Sequence, residues 1–261
     1  MDGAPVLLAQ ISMFMLVLPR LGGVVATAPV FSSARFPALA KAGLAGLLAV
    51  LLLPVVPRPA AFPDGPLGLL ALLASELLVG VTIGFAMTLV FTAIQVAGQI
   101  MDMELGFGIV NVIDPQYGTQ MPLVGSFLQF LALLVFLLLD GHHLVLGGLL
   151  RSFQLVPLGG AVVRAGLSEF LVRLFSAMFA TAVKISLPVL AAGFLANLAL
   201  GLVARTVPQM NVFVIGLPVK VVVGLFILAA ALPLFVVVVR NLSDGMAAAL
   251  MDVLSRLAPG R

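Results

Sequence analysis

Long apolar stretches broken by single polar residues set the plan of this chain. Taken between charges, six runs approach the roughly 20 helical residues needed to cross about 30 Å of hydrocarbon. They are Val6 to Phe31, Pro37 to Val56, Leu67 to Ile100, Pro122 to Leu139, Leu171 to Val203 and Leu217 to Val239. A further stretch, Leu144 to Leu150, is too short to span and is expected at an interface or packed against protein. Several helices are expected to be kinked or discontinuous: Pro19-Arg20 with Gly22-Gly23 cuts the first run, Glu76 sits inside the third, and Lys184 with Pro188 interrupts the fifth. Proline removes an intrahelical hydrogen bond and clashes with the preceding turn, and a backbone group freed inside a membrane must be met by protein or water. Beyond the last run, Leu242, Met246, Leu250, Val253, Leu254 and Leu257 recur near helical spacing. This tail reads as an amphipathic helix started by Ser243 or Asp244, its apolar face on the membrane surface, on a partner, or packed in the same chain.

Composition turns the pattern into a statement about solvent. Hydrophobic residues make up 62% of the chain, charged residues 9%, and mean hydropathy is +1.28. A soluble protein carries roughly 25% charged residues, so a fold of 261 residues with so little polar surface must face lipid or other protein. The expectation is an all-α membrane protein of about six hydrophobic segments, a single unit over residues 1–261. The net charge of +3 does not point to nucleic acid, because the thirteen Lys and Arg stand singly between apolar runs, whereas that binding needs several cations on one face. Cysteine is absent, which excludes disulfides and thiolate metal sites. Met1-Asp2-Gly3-Ala4-Pro5 lacks the basic region of a cleaved signal peptide, so the first apolar stretch is expected to be retained. The positive-inside rule places Arg20, Arg35 and Lys41 in the cytoplasm; six spans then put Arg240, Arg256 and Arg261 outside and the acidic Asp102, Glu104 and Asp114 inside. Not every run is therefore expected to cross a bilayer conventionally.

The segment from Gly106 to Pro122 stands apart. Its Gly, Asn and Pro content disfavours helix, yet Phe107, Ile109, Val110, Val112 and Ile113 are too apolar for a solvated loop. Irregular backbone at membrane depth is tolerated where it is buried in protein or lines a water-filled cavity, and hydrophobic constrictions gate by excluding water. The segment is either such a constriction or a connector packed on its own helices; Met101, Met103 and Met121 flank it as gap-fillers or as a flexible seal.

Other polar positions carry less chemistry. Glu76 in an apolar helix is a candidate proton relay, or else it pairs with Lys41, Lys184 or another subunit. Asp102 and Glu104, two apart, cannot share a helix face. Arg205 closes an apolar run, where it meets the negative end of a helix dipole and serves as anchor or subunit contact. Small residues at Gly43 and at Ala192, Ala196, Ala199 and Gly201 predict close helix approach. His142 and His143 follow Asp140, but helical neighbours point about 100° apart, so hydrogen bonding in a turn is expected rather than a metal site. Ser126 and Ser186 have no His in a recognisable arrangement, and no Gly-rich loop with Lys opens a helix. Neither an enzyme nor a cofactor is expected.

The longest specific motif runs from Asn197-Leu-Ala-Leu-Gly-Leu-Val-Ala-Arg205-Thr-Val-Pro208 through Gln-Met-Asn211-Val-Phe-Val-Ile-Gly216-Leu-Pro218-Val-Lys220. Upstream come Thr27-Ala28-Pro29, Gly98-Gln-Ile-Met-Asp-Met-Glu-Leu-Gly106-Phe107, Asp114-Pro115 and Asp140-Gly141-His142-His143. In these motifs, their order and its length, the chain resembles the flagellar biosynthetic FliR family. The resemblance departs locally at Gly108 to Asn111 and Pro115 to Gln120, and Asn211 to Gly216 is more similar to the flagellar than to the injectisome branch. It implies the R subunit of a type III protein-export gate, a P-like half joined to a Q-like half. One R, several P and several Q subunits would form a helical, cone-shaped channel largely above the bilayer plane, with the substrate-switching B subunit docked on R. Unfolded flagellar proteins would pass outward across the bacterial inner membrane at the flagellar basal body, driven by the proton motive force and an associated ATPase complex. The resemblance favours reading Gly106, Phe107, Ile109, Val110, Val112, Ile113, Asp114, Pro115, Met121 and Pro122 as a pore plug. Arg20, Glu76, Lys184, Asn197, Arg205 and Lys220 become candidate intramembrane or subunit-contact residues. A small secondary transporter or permease subunit is the alternative, supported by the broken helices and Glu76; such proteins often carry internal repeats, and none is evident.

Overall fold

The computed structural model describes residues 3–28, 37–57, 65–107, 122–162, 166–209 and 211–259, and every regular element among them is a helix. In order these are α1 Gly3–Thr27, α2 Ala38–Leu52, α3 Pro66–Leu105, α4 Leu123–Leu138, α5 Gly141–Leu155, α6 Leu167–Thr206 and α7 Val212–Leu257. Each of the six long apolar runs has its own helix over most of its described residues, and Leu144 to Leu150 forms the middle of α5. Four helices (α1, α3, α6 and α7) are long and apolar enough to cross a membrane. α4 and α5 pass only when counted together. α2, at 15 residues, rises about 22 Å and falls short. This is the make-up of a multi-pass membrane protein.

The polar interruptions do not end helices. Pro19 and Pro188 lie inside α1 and α6, and Pro218 and Pro233 inside α7. The tail is not a separate helix: α7 runs unbroken through Ser243 and Asp244, so neither residue is an N-cap. The side chains of Met246, Leu250, Val253, Leu254 and Leu257 are buried in the chain's own core, which settles the tail as same-chain packing.

Contacts divide the chain into two compact units. Unit 1 comprises Met1–Val90, Asp140–Leu174 and Ser243–Arg261; unit 2 comprises Phe91–Leu139 and Phe175–Leu242. In unit 1, α1 buries Leu16, Val17, Leu21 and Val24, the first part of α3 buries Val79, Ile83 and Met87, and α5 buries Val145, Leu149 and Phe153. Apart from the adjacent Leu16 and Val17, these positions recur every three or four residues, the period of one helix face. α1 and α3 meet at glycine: a Cβ on Gly23 would lie 2.8 Å from both the Leu77 carbonyl oxygen and the Val81 amide nitrogen, and one on Gly80 would collide with the Arg20 backbone.

In unit 2, Ile94, Ala97 and Met101 of α3 and Leu128, Ala132 and Phe136 of α4 are buried, and the Phe91 and Phe136 rings meet edge to face at 5.3 Å. The backbones of Gly98 and Gly125 touch, leaving no room for a Cβ on Gly98. Sequence had placed close approach elsewhere. Gly43 and Gly201 have nothing within 4 Å of where a Cβ would stand, because both lie on surfaces this chain does not cover. Only 11% of the most apolar window of α6 and 17% of that of α7 is buried within the chain. Their outer faces are therefore left for lipid or other protein.

Candidate gate loop and its anchors

Of the proposed plug, Ile109, Val110, Val112, Ile113, Asp114, Pro115 and Met121 lie outside the described residues. Gly106, Phe107 and Pro122 are described, and they show how the two ends of the connection are fixed. α3 stops because Gly106 takes a φ of +86°, which costs glycine nothing. The Gly106 N–H donates to the Met103 carbonyl at 3.2 Å and the Phe107 N–H to the Asp102 carbonyl at 3.0 Å. That pair of reverse bonds is a Schellman closure, and it satisfies carbonyls the helix end would otherwise orphan.

The start of α4 needs outside help. Pro122 precedes it in an extended conformation and offers no side-chain cap, so the first N–H groups lack a local acceptor. Asp102 on α3 supplies one: its Oδ1 accepts from the Val124 N–H at 3.0 Å and its Oδ2 from the Gly125 N–H at 3.1 Å. The carboxylate is only 5% exposed and sits at the positive end of the α4 dipole, where an anion is stabilised. Both ends of the connection are thus tied to one residue, through Asp102's own carbonyl on one side and its carboxylate on the other.

Glu104, two residues on, points elsewhere, as its spacing from Asp102 requires. Its Oε1 accepts from Asn197 Nδ2 at 3.1 Å and faces Lys220 Nζ at 3.8 Å. Gly193 makes the cradle, since a Cβ there would strike the Glu104 side chain. α3, α6 and α7 are thereby joined by a carboxylate, an amide and an ammonium, the amide exposed and the other two partly so. Asn197 and Lys220 are contact candidates from sequence; Glu104, weighed there only beside Asp102, is their common partner.

Within unit 1, Arg20 and Glu76 are both fully buried and paired with each other, not with Lys41, Lys184 or another subunit. Arg20 Nε donates to Glu76 Oε2 at 2.6 Å, with Nη2 equally close to that oxygen. Glu76 Oε1 accepts from the Gly159 N–H at 2.8 Å. Arg20 Nη1 donates to the Ser152 and Val156 carbonyls at 3.0 and 2.9 Å, capping the end of α5, and the guanidinium lies 4.4 Å from the centre of the Phe153 ring. With both charges and their lone pairs engaged, this is a structural clamp on α1, α3 and α5. Lys184 and Arg205 are exposed. Arg205 occupies the last turn of α6, where the dipole favours a cation. At the α4–α5 corner Asp140 adopts a φ of +55°. His143 Nδ1 stands 3.4 Å from its carboxylate and the two histidine rings lie 4.2 Å apart. Asp140, His142 and His143 therefore cluster more closely than helical neighbours would, and the His143 N–H bond to the Asp140 carbonyl at 2.9 Å closes the turn.

The chain is similar to known proteins over most of its length. The family described as bacterial export proteins, family 1, matches residues 11–246. The flagellar biosynthetic protein FliR of Bacillus subtilis (strain 168) is 41% identical over 232 residues, 87% of this chain and 89% of that protein. FliR of Pectobacterium carotovorum subsp. carotovorum is 32% identical over 248 residues, 95% of each chain. FliR of Escherichia coli (strain K12) is 30% identical over 250 residues, 96% of this chain and 95% of that one.

Proposed function

We propose a function from one premise: the chain belongs to the bacterial export proteins, family 1. It acts as a subunit of the flagellar type III export gate, forming part of the channel that passes unfolded flagellar proteins across the inner membrane at the basal body. It works by conformation and contact, with no bond made or broken at a catalytic residue. The P and Q gate subunits cover the outer apolar faces of α6 and α7, so little of which is buried by the chain itself, and the B subunit docks on the same assembly. The segment 106–122 closes the resting channel.

The observation that carries the gate reading is the double anchor at Asp102. A segment whose sequence carries Phe107, Ile109, Val110, Val112 and Ile113 between Gly106 and Pro122 has the helices on both its sides tied to one buried carboxylate residue. Such side chains meeting in a narrow pore expel water and block ions. Replacing Phe107, Val110 and Ile113 with Ser is expected to let small ions leak while the gate still assembles. Membrane conductance is compared with wild type, and assembly is followed by pull-down of the other gate subunits. An assembled gate as tight as wild type would make the segment a connector only. Recovery of the chain as a monomer or small homo-oligomer from its native membrane would favour the transporter reading instead.

A further inference from the structure

A cluster in unit 1 is independent of the gate loop. Asp140 stands at the N-cap position of α5 in the left-handed conformation, but its carboxylate caps no α5 N–H. It faces the His143 ring instead, with Oδ1 3.4 Å from Nδ1. Helical neighbours point about 100° apart, yet the His142 and His143 rings lie 4.2 Å apart with a tilt of 38°. One ligand atom from each of Asp140, His142 and His143 lies within 4.8 Å of the other two.

Two details favour an ion over a hydrogen-bonded turn. His142 Nδ1 is buried and has no hydrogen-bond partner among the described residues. The turn is closed by backbone instead, through the His143 N–H, and an unpaired buried nitrogen is a feature that a bound ion accounts for. Ligands about 2.1 Å from one tetrahedral ion also stand about 3.4 Å from each other, which is the Asp140–His143 separation. Asp140 and His143 are exposed, so rotation of their side chains can close the remaining gaps. The carboxylate offsets the positive end of the α5 dipole, which by itself disfavours a cation. Two imidazoles and one carboxylate suit a borderline metal such as zinc, whereas magnesium and calcium ask for oxygen. We propose that Asp140, His142 and His143 form a binding site for one divalent ion of the zinc class, with water as the fourth ligand. The ion fixes the first turn of α5, the helix whose last carbonyls Arg20 caps.

The test uses the full chain purified in detergent without a histidine tag and titrated calorimetrically with Zn²⁺ alone. Wild type is expected to bind one equivalent, and Co²⁺ in its place should give the visible absorption bands of tetrahedral coordination. Asp140→Asn removes the charge while keeping a residue that tolerates the left-handed backbone, and His142→Gln and His143→Gln remove the imidazoles. Each should weaken Zn²⁺ binding by at least the roughly 10–100-fold that loss of an outer-shell partner costs. Zn²⁺ should raise the melting temperature of wild type and not of the variants, since an ion bound only to the folded state stabilises it. Circular dichroism confirms that each variant is folded. Failure of wild type to bind one equivalent overturns the site, as does unchanged affinity in folded Asp140→Asn or His143→Gln. A response to Mg²⁺ equal to that to Zn²⁺ also overturns it, because the imidazoles would then contribute nothing.

Discussion

Arg20 and Glu76 are the residues whose environment is least forgiving. Both are at 0% exposure, both Glu76 oxygens accept a hydrogen bond, and Arg20 donates through Nε and Nη1 while Nη2 stands beside Glu76 Oε2 as an ion pair. Removing one partner strands the other charge, a loss of roughly 3–5 kcal/mol for buried pairs. Glu76→Leu and Arg20→Met should therefore each lower the melting temperature of the detergent-solubilised chain sharply. The double variant should be less damaged than either single. It should not recover fully, because the Ser152 and Val156 carbonyls lose the Arg20 donor and unmet buried acceptors cost about 1–3 kcal/mol. Additive losses in the double variant would show that the two charges are not coupled. Sequence alone identified both residues as misfits in apolar helices but not as each other's solution, since 56 positions separate them. Asp102 was hidden for a similar reason. The signal available was negative: α4 opens after Pro122 with no Ser, Thr, Asp or Asn in capping position, so an acceptor had to come from elsewhere in the chain. Asp102→Asn keeps the shape but turns an NH2 toward an N–H donor. Its expected effect is local, with faster hydrogen exchange at Val124 and Gly125 and a much smaller change in overall melting.

At the scale of elements, glycine decides which helices can touch. Gly98 on α3 has no space for a methyl group against Gly125 on α4, so Gly98→Ala must push the two helices apart and is expected to cost about 1–3 kcal/mol, the range for overpacking. Gly43→Ala and Gly201→Ala face open space and should be neutral or stabilising by up to about 1 kcal/mol in the isolated chain, through helix propensity. Thermal melts of the three variants side by side check the contrast. Apolar periodicity made the helices legible because a run of the right length has few alternatives in lipid. It could not say which small residues meet, because a stripe that serves the chain's own packing looks the same as one left outside.

For the whole molecule, poor behaviour in isolation is expected, and the buried charges are not its cause. Arg20 and Glu76 need no partner subunit, having found each other. What remains unsatisfied is surface: Phe194, Leu195, Leu202, Val222 and Phe226 are all well exposed on α6 and α7, far from any close-packed neighbour. Co-expression with the proposed P and Q subunits should raise the yield of monodisperse protein severalfold over the chain alone. Replacing a few of these side chains with Ser should weaken pull-down of those subunits without lowering the chain's own melting temperature. Equal yields with and without the partners would assign the faces to lipid.

The unbroken course of α7 has a last consequence, for what kinds of genetic change the chain can absorb. Its 46 residues serve unit 2 up to Leu242 and unit 1 from Ser243 onward, with no loop at the junction to take up slack. Inserting a single residue beside Arg240 would turn everything downstream by about 100° and advance it by about 1.5 Å. Met246, Leu250, Val253 and Leu254 would keep their phase among themselves but lose it relative to the residues before Arg240. Insertions of seven residues, close to two full turns, would restore the angle though not the distance. Point substitutions at exposed Arg240 should be tolerated where a one-codon insertion is not, as thermal melts of the two variants would show, because at this junction the phase of the helix matters more than the identity of any side chain.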